Sequence, residues 1–115
     1  SVPHATAIGK VFLACGGELP PGPLAAFTER TTTDRATLAA EVAEVAARGW
    51  AQSVGEREDD LNAIAAPVRG DRGELSAILG VQGPAGRFTR ERMRDAVGPL
   101  LERAREISEA LGFRS

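Results

Sequence analysis

Ser53 and His4 are the side chains whose types could support hydrolysis, because a serine nucleophile needs a histidine base that an acid orients. In many hydrolases that use this chemistry, the serine lies on a tight turn between a strand and a helix. No such motif surrounds Ser53, and the residues that follow it, Val54, Gly55 and Glu56, do not supply an oxyanion hole. A lone histidine beside a helix start is more often a structural hydrogen-bonding group. We therefore expect no enzymatic activity and a structural His4.

Cation binding is a second chemistry that the sequence offers, in the charged loop at residues 55–60. A charged loop of this kind is usually solvated, and we expect that here. Its acidic residues are Glu56, Glu58, Asp59 and Asp60. One histidine and one cysteine, Cys15, cannot supply the ligand set of a structural zinc site. We expect neither a metal nor another cofactor.

A ligand cavity within a β-sheet is the third possibility. Two apolar segments, residues 61–68 and 75–81, flank a polar turn cluster at residues 69–73, which predicts a β-hairpin. We expect both strands to be buried on at least one face. The second strand then ends in small or polar residues, namely Gly80, Gln82, Gly83 and Pro84. Such residues leave open space where bulkier side chains would fill the interior.

Composition limits the classes of protein to which the chain can belong. Its 115 residues suffice for one domain, and the 43% hydrophobic and 26% charged content is typical of a soluble globular protein. No apolar stretch approaches the roughly 20 residues of a membrane-spanning helix. The formal charge of −2 comes from mixed acids and bases, without a basic patch for nucleic acid. The lone Cys15 excludes an intrachain disulfide and favours a reducing, cytoplasmic compartment.

Two helices and a short strand are predicted before the hairpin. The first helix covers residues 6–15 and ends at the Gly16–Gly17 pair. The second begins at a cap provided by Thr33 or Asp34 and ends at Gly49. Residues 50–54 then form the strand.

A third helix is predicted after the hairpin, with Thr89 as its cap. Its apolar residues recur every three or four positions, at Met93, Val97, Leu100, Ala104, Ile107 and Leu111. Gly98 and Pro99 interrupt this seam, which predicts a bend. The seam must face the sheet or a partner.

Three separated motifs carry a resemblance to a known family. They are HATAIGKVFLA, AFTERTTTDRATLAAEV with the following RGWAQSVGE, and LNAIAAPVRGDRGELSAILGVQGPAGRFT. In this order and spacing, from His4 to Gly112, the chain resembles the C-terminal effector-binding domain of IclR-type bacterial transcriptional regulators. The resemblance implies an α+β, GAF-like fold in which helices pack on an antiparallel sheet. It also implies a regulator that binds DNA, as a dimer or tetramer, through an N-terminal winged helix-turn-helix.

Compared with that family pattern, residues 1–115 correspond to part of the effector-binding domain, without the DNA-binding domain and without the first strands of the sheet. The opening residues, SVPH, contain neither an initiator methionine nor a signal peptide. We therefore take the chain to be part of a longer protein. If the first strands are absent, an open sheet edge should make the isolated chain self-associate or leave it marginally stable.

The resemblance also implies an effector pocket. Its floor falls at the helix start on Ala7 and Ile8, next to Gly9, where unpaired amides favour a carboxylate. The remaining positions are Ser53, Leu61, Ala63, Gly80 and Gln82, and the last two stand two apart on one strand face. Relatives often carry an acidic residue at the position of Ser53 and serines at those of Gly80 and Gln82, so a specific effector does not transfer. Alternatively, Gly9 serves helix packing, Lys10 is a solvated surface charge and Leu61 belongs to the core.

The resulting hypothesis is a sensor that binds a small organic effector, expected to be a carboxylate, and thereby changes the DNA affinity of an intact homo-oligomeric regulator. No membrane partner is expected, and DNA contact would come only through the N-terminal domain. One alternative is a constitutive oligomerisation module without a ligand. Another is a small hydrolase, which would need a base within hydrogen-bond reach of Ser53.

Overall fold

The elements occur in mixed order, and a computed structural model describes them for residues 2–114. They are α1 (Ala7–Ala14), α2 (Arg35–Arg48), β1 (Ala51–Val54), β2 (Leu61–Arg69), β3 (Leu75–Pro84) and α3 (Arg90–Ala110). The strands form one antiparallel sheet in the order β1-β2-β3, which confirms the expected α+β class. Among the described residues, no helix is both long and apolar enough to cross a membrane.

Side-chain caps fix where the helices begin. The Thr6 hydroxyl accepts a hydrogen bond from the Gly9 amide at 2.9 Å, and the Thr89 hydroxyl accepts one from Arg92 at 3.2 Å. Of the two cap candidates for α2, the structure selects Asp34, whose carboxylate accepts from the Thr37 amide. Each bond satisfies an amide that the first helical turn leaves without an internal partner. The helix starts are therefore set by local sequence.

The hairpin differs from its prediction in the length of β3. Gly80, Gln82 and Gly83 do not end this strand but lie inside it, paired with Ala65, Ala63 and Asn62 of β2. The continuous β2 partner extends the hydrogen-bonded ladder across residues of low strand propensity. An irregularity between Val68 and Arg69 shifts the register close to the turn.

Burial is also unequal between the two strands of the hairpin. The central strand β2 is buried on both faces, since neither Ala65 nor Ala66 is exposed. The expectation that β3 would also be buried is wrong, because none of its residues is fully buried. β3 lies at the sheet edge, and α3 packs mainly on β2.

One face of the sheet packs against α3. Ile64, Ala66 and Val68 of β2 contact the buried part of the α3 seam, formed by Met93, Leu100 and Ala104. Towards the C-terminal end of α3 the seam is no longer part of the core, since Ile107 and Leu111 are exposed. Pro99 lies within α3, and the helix continues on both sides of it.

The opposite face of the sheet packs against α1, with α2 beside it. Ala7 and Val11 of α1 form a small core with Val45 of α2, Ala51 of β1 and Ala65 of β2. Alanines on the strands let the helix approach closely. The start of α1 is thereby held over the sheet.

Candidate functional site

A cavity of about 490 Å³ lies between the start of α1, the loop after β1, and strands β2 and β3. Seven of the eight site residues proposed from the sequence line it. They are Ala7, Ile8, Ser53, Leu61, Ala63, Gly80 and Gln82. Residues far apart in the chain therefore meet around one space of a size suited to a small organic molecule.

Strand register explains how the sheet residues converge. Ser53 of β1 pairs with Ala63 of β2, and Ala63 pairs with Gln82 of β3. Directly paired residues in adjacent strands point to the same face, so these three form one row across the sheet. Gly80 lies two residues along β3, opposite Ala65. The row thus presents a hydroxyl, a methyl and an amide to the cavity.

Ile8 and Gly80 form the contact between α1 and β3. A methyl group built on Gly80 would lie 3.5 Å from the Ile8 side chain, which is ordinary van der Waals contact. Position 80 therefore has room for a methyl, whereas a longer side chain must displace Ile8 or fill the cavity.

The first amides of α1 differ in their availability. Among residues 2–114, those of Ala7 and Ile8 have no hydrogen-bond acceptor, whereas the Gly9 amide donates to the Thr6 hydroxyl. Gly9 does not line the cavity, and a methyl group on it would overlap the backbone of Pro3. Two donors of the three remain for an anionic ligand, and Gly9 allows close packing of the chain before α1.

Ser53 is buried, and its hydroxyl donates to the carbonyl oxygen of Ala5 at 3.2 Å. That bond uses its proton, so towards a ligand the oxygen can act only as an acceptor. Within the described chain, its hydrogen-bond partner is a carbonyl oxygen. A hydrolytic serine would instead need a base as its hydrogen-bond partner.

Lys10 does not fit the alternative interpretation of a solvated surface charge. Its side chain is 1% exposed, and its ammonium lies 2.6 Å from Glu56 and 2.8 Å from Glu41. We call these three residues the Lys10 cluster. Burial raises the pKa of Glu56, and the hydrogen bond from Lys10 opposes this shift. The cluster joins α1, α2 and the loop after β1.

The loop after β1 also corrects the expectation of a fully solvated segment. Glu56 is buried in the Lys10 cluster, whereas Glu58, Asp59 and Asp60 are exposed. No group of three or more histidine, cysteine or acidic residues within the described part of the chain could hold a metal ion.

Arg57 and Glu58 line the cavity and were missed by the sequence reasoning. They belong to the loop that was treated as surface. One signal could have identified them: the loop joins two strands whose facing ends both carry proposed site residues.

His4 is confirmed as a structural residue. It is buried, and its Nε2 atom lies 2.7 Å from the carbonyl oxygen of Ala25, within hydrogen-bond distance. The centroid of its ring lies 5.8 Å from that of Phe27. The guanidinium of Arg57, a residue that lines the cavity, lies 4.4 Å from the Phe27 ring centroid. This stack of three side chains connects the segment before α1 with the loop after β1.

Comparison with known proteins gives a consistent result. Residues 2–109 match the family model of the bacterial transcriptional regulator IclR C-terminal domain. The chain is 35% identical over 117 residues to the HTH-type transcriptional regulator BhcR of Paracoccus denitrificans, covering 96% of this chain and 42% of that protein. It thus spans less than half the length of this relative.

Solved structures agree with the sequence relatives. The C-terminal domain of the Escherichia coli transcriptional regulator KdgR is 33% identical with a TM-score of 0.79, over 96% of this chain and 71% of that one. The inducer-binding domain of a double mutant of the PobR transcription factor from Acinetobacter, in complex with 3-hydroxybenzoic acid, is 29% identical with a TM-score of 0.82. That alignment covers 92% of this chain and 65% of the PobR chain. The chain belongs to the family of C-terminal domains of IclR bacterial transcriptional regulators, a regulatory and not an enzymatic domain.

Proposed function

We propose that this domain binds a small organic carboxylate in the cavity and thereby changes the DNA affinity of the regulator to which it belongs. The observation that carries the proposal is the convergence of two helix-start amides, which have no acceptor among residues 2–114, with the row Ser53, Ala63 and Gln82 around one cavity. The relative PobR, solved with 3-hydroxybenzoic acid, supports a carboxylate as the effector.

The cavity walls offer different interactions to different parts of such an effector. The amides of Ala7 and Ile8 can only donate, and they carry the positive end of the helix dipole, so the carboxylate belongs there. Leu61 and Ala63 exclude water from the organic part. Gln82 can donate and accept, whereas Ser53 retains only its acceptor role, which favours an effector with a hydroxyl or amine.

Signal transmission follows from the position of the cavity between elements. A ligand that binds one arrangement of α1 and the sheet better than another shifts the population towards the first. In the regulator, we infer that this shift changes how the subunits of a cytoplasmic homo-oligomer position their N-terminal winged helix-turn-helix domains on DNA. We also propose that the fold is GAF-like, as in other ligand-sensing domains of this type.

An oligomerisation module without a ligand is the competing function. The exposed edge strand β3 favours it, since an unpaired edge can bind another chain. The open volume beside Gly80 favours the sensor, because a purely structural core would fill that space.

Calorimetric titration of the chain with 3-hydroxybenzoate tests the proposal, with Gly80→Leu as the blocking variant. The leucine should fill the cavity and abolish binding while the thermal melt stays cooperative. Gly80→Ala is the matched control, because a methyl group makes only ordinary contacts at this position. Unchanged affinity in a folded Gly80→Leu variant would exclude this cavity as the effector site.

A further inference from the structure

Arg57 is the single cationic side chain among the described residues that line the cavity. Lys10 follows the helix start by two residues, but it does not line the cavity, and Glu41 and Glu56 neutralise its charge in the Lys10 cluster. Glu58 also lines the cavity and carries the opposite charge, so the positive charge available to a ligand comes from Arg57 and from the weaker partial charges of the α1 amides.

Aromatic stacking supports the Arg57 side chain. Its guanidinium lies 4.4 Å from the Phe27 ring centroid, within the range of a cation–π interaction. The Phe27 ring packs 5.8 Å from His4, whose Nε2 lies 2.7 Å from the carbonyl oxygen of Ala25. A guanidinium held on an aromatic face loses less freedom when it binds an anion than one that is free in solvent.

Hydrogen bonds also fix the backbone beside Arg57. The hydroxyl of Thr31 donates to the carbonyl oxygen of Glu56, and that of Thr28 donates to the carbonyl oxygen of Gly55, both at 2.6 Å. The Glu56 carboxylate binds the buried ammonium of Lys10. The loop is therefore attached to α1 and to the segment around Thr28. These bonds hold the backbone next to Arg57 in place where its side chain lines the cavity.

We propose that Arg57 is the specificity-determining residue of this cavity and that Phe27 is its positioning residue. The inference rests on the proposed function and adds the source of its charge selectivity. A guanidinium matches a carboxylate through two parallel hydrogen bonds, whereas a neutral carboxamide of the same shape lacks the ionic attraction. The α1 amides donate to either group and carry only a partial charge, so the larger part of the discrimination between acid and amide falls on Arg57.

The test compares 3-hydroxybenzoate with its neutral isostere 3-hydroxybenzamide, titrated into the ¹⁵N-labelled 115-residue chain and followed by NMR. We expect the unaltered chain to prefer the acid, with shifts at the Ala7 and Ile8 amides and at Arg57 Nε. Arg57→Gln should leave amide binding unchanged and weaken acid binding by about threefold to tenfold, a modest loss because the arginine is exposed to solvent. Arg94→Gln, an exposed change on α3, is the matched control and should keep the preference.

Variants of Phe27 test its positioning role. Phe27→Leu should reduce the acid preference and leave amide binding unchanged, and Phe27→Trp should retain the preference, since indole is the stronger cation–π partner. A loss of structure alone would weaken the acid and the amide equally.

The outcomes separate the two proposals. An acid preference that is undiminished in Arg57→Gln, an equal loss of affinity for both compounds, or equal binding of both by the unaltered chain would overturn the role of Arg57. If neither compound shifts the Ala7 and Ile8 amides of the unaltered chain, the proposed carboxylate function itself is overturned.

Discussion

Gly9 and Lys10 are neighbours in sequence, and the structure differs from the sequence interpretation at both. Gly9, predicted as a site residue, does not line the cavity, and Lys10, a surface charge in the alternative interpretation, is buried. The packing role of Gly9 follows from its place inside the first turn of α1, three residues after the cap. The burial of Lys10 depends on Glu41 and Glu56, which are 31 and 46 residues away. A charge pattern in the sequence does not reveal such partners, because they meet only when α2 and the loop after β1 have packed against α1.

Replacing Lys10 by methionine should destabilise the domain strongly. It leaves the buried carboxylate of Glu56 without its counter-ion, and breaking a buried pair typically costs about 3–5 kcal/mol. Denaturant unfolding measures the loss. Glu41→Gln should cost less, because Glu41 is about one-third exposed, and Lys10→Met combined with Glu56→Gln should recover part of the stability. If the double variant loses as much stability as Lys10→Met and Glu56→Gln lose separately when added together, the pairing of Lys10 with Glu56 is contradicted.

Replacing Gly9 by alanine should also destabilise the chain, for a steric reason. The new methyl group would overlap the Pro3 backbone, and overpacking of this kind typically costs about 1–3 kcal/mol. Gly86→Ala is the matched control, because no atom beyond its chain neighbours lies within 4 Å of its built methyl group and its φ is not positive. In the turn after β3 that control should stabilise by about 0.4–1 kcal/mol, because alanine restricts the unfolded chain. Similar shifts in the two melts would show that Gly9 does not pack as described.

At the scale of elements, the sequence predicted helix starts well and strand extents less well. A cap is a local signal: Thr6, Asp34 and Thr89 each accept a hydrogen bond from the residue three positions later. The end of β3 is not local. Its glycines belong to the strand because β2 pairs with them, and its exposure follows from where α3 lies. Sequence periodicity does not contain either fact.

The cap of α2 should make stability sensitive to acid. Hydrogen bonds from the Thr37 hydroxyl, at 2.7 Å, and from its amide lower the pKa of Asp34 below its ordinary value of about 3.8. A carboxyl whose pKa is lowered by folding stabilises the folded state above its unfolded pKa. That contribution disappears as the pH falls through the folded pKa.

Thermal melts of the wild-type chain and of Asp34→Asn across this acidic range check the effect. Asparagine also caps a helix but does not ionise, so the melting-temperature difference between the two chains should change only as the pH falls through and below the ordinary range of the carboxyl. Thr37→Ala, which keeps the amide bond and removes the hydroxyl, should reduce the acid sensitivity. A difference that is constant with pH would contradict the lowered pKa of Asp34.

At the scale of the whole molecule, the site residues on the sheet were more predictable than the side-chain contacts that hold the site in place. The row of Ser53, Ala63 and Gln82 lies where an antiparallel sheet with the family's motifs places it, and the structure adds the register that aligns the three residues. The stack of His4, Phe27 and Arg57 joins three segments that the sequence keeps apart. The part of the cavity wall that Arg57 forms was therefore identified only from the tertiary structure.

The open edge of β3 should make the chain associate with itself as its concentration rises. This strand has ten residues, LSAILGVQGP, without a charged side chain, and it pairs with β2 along one edge only within the described chain. Long, uncharged edges of this kind template pairing with another chain, and natural proteins commonly block them with lysine. Light scattering over a concentration series should show oligomers, and Val81→Lys, at an exposed position of β3, should shift the distribution towards monomer. Ile107→Lys, a matched change at an equally exposed apolar position on α3, should not. A chain that stays monomeric at high concentration, or one for which Ile107→Lys is as effective as Val81→Lys, would rule out the β3 edge as the surface of association.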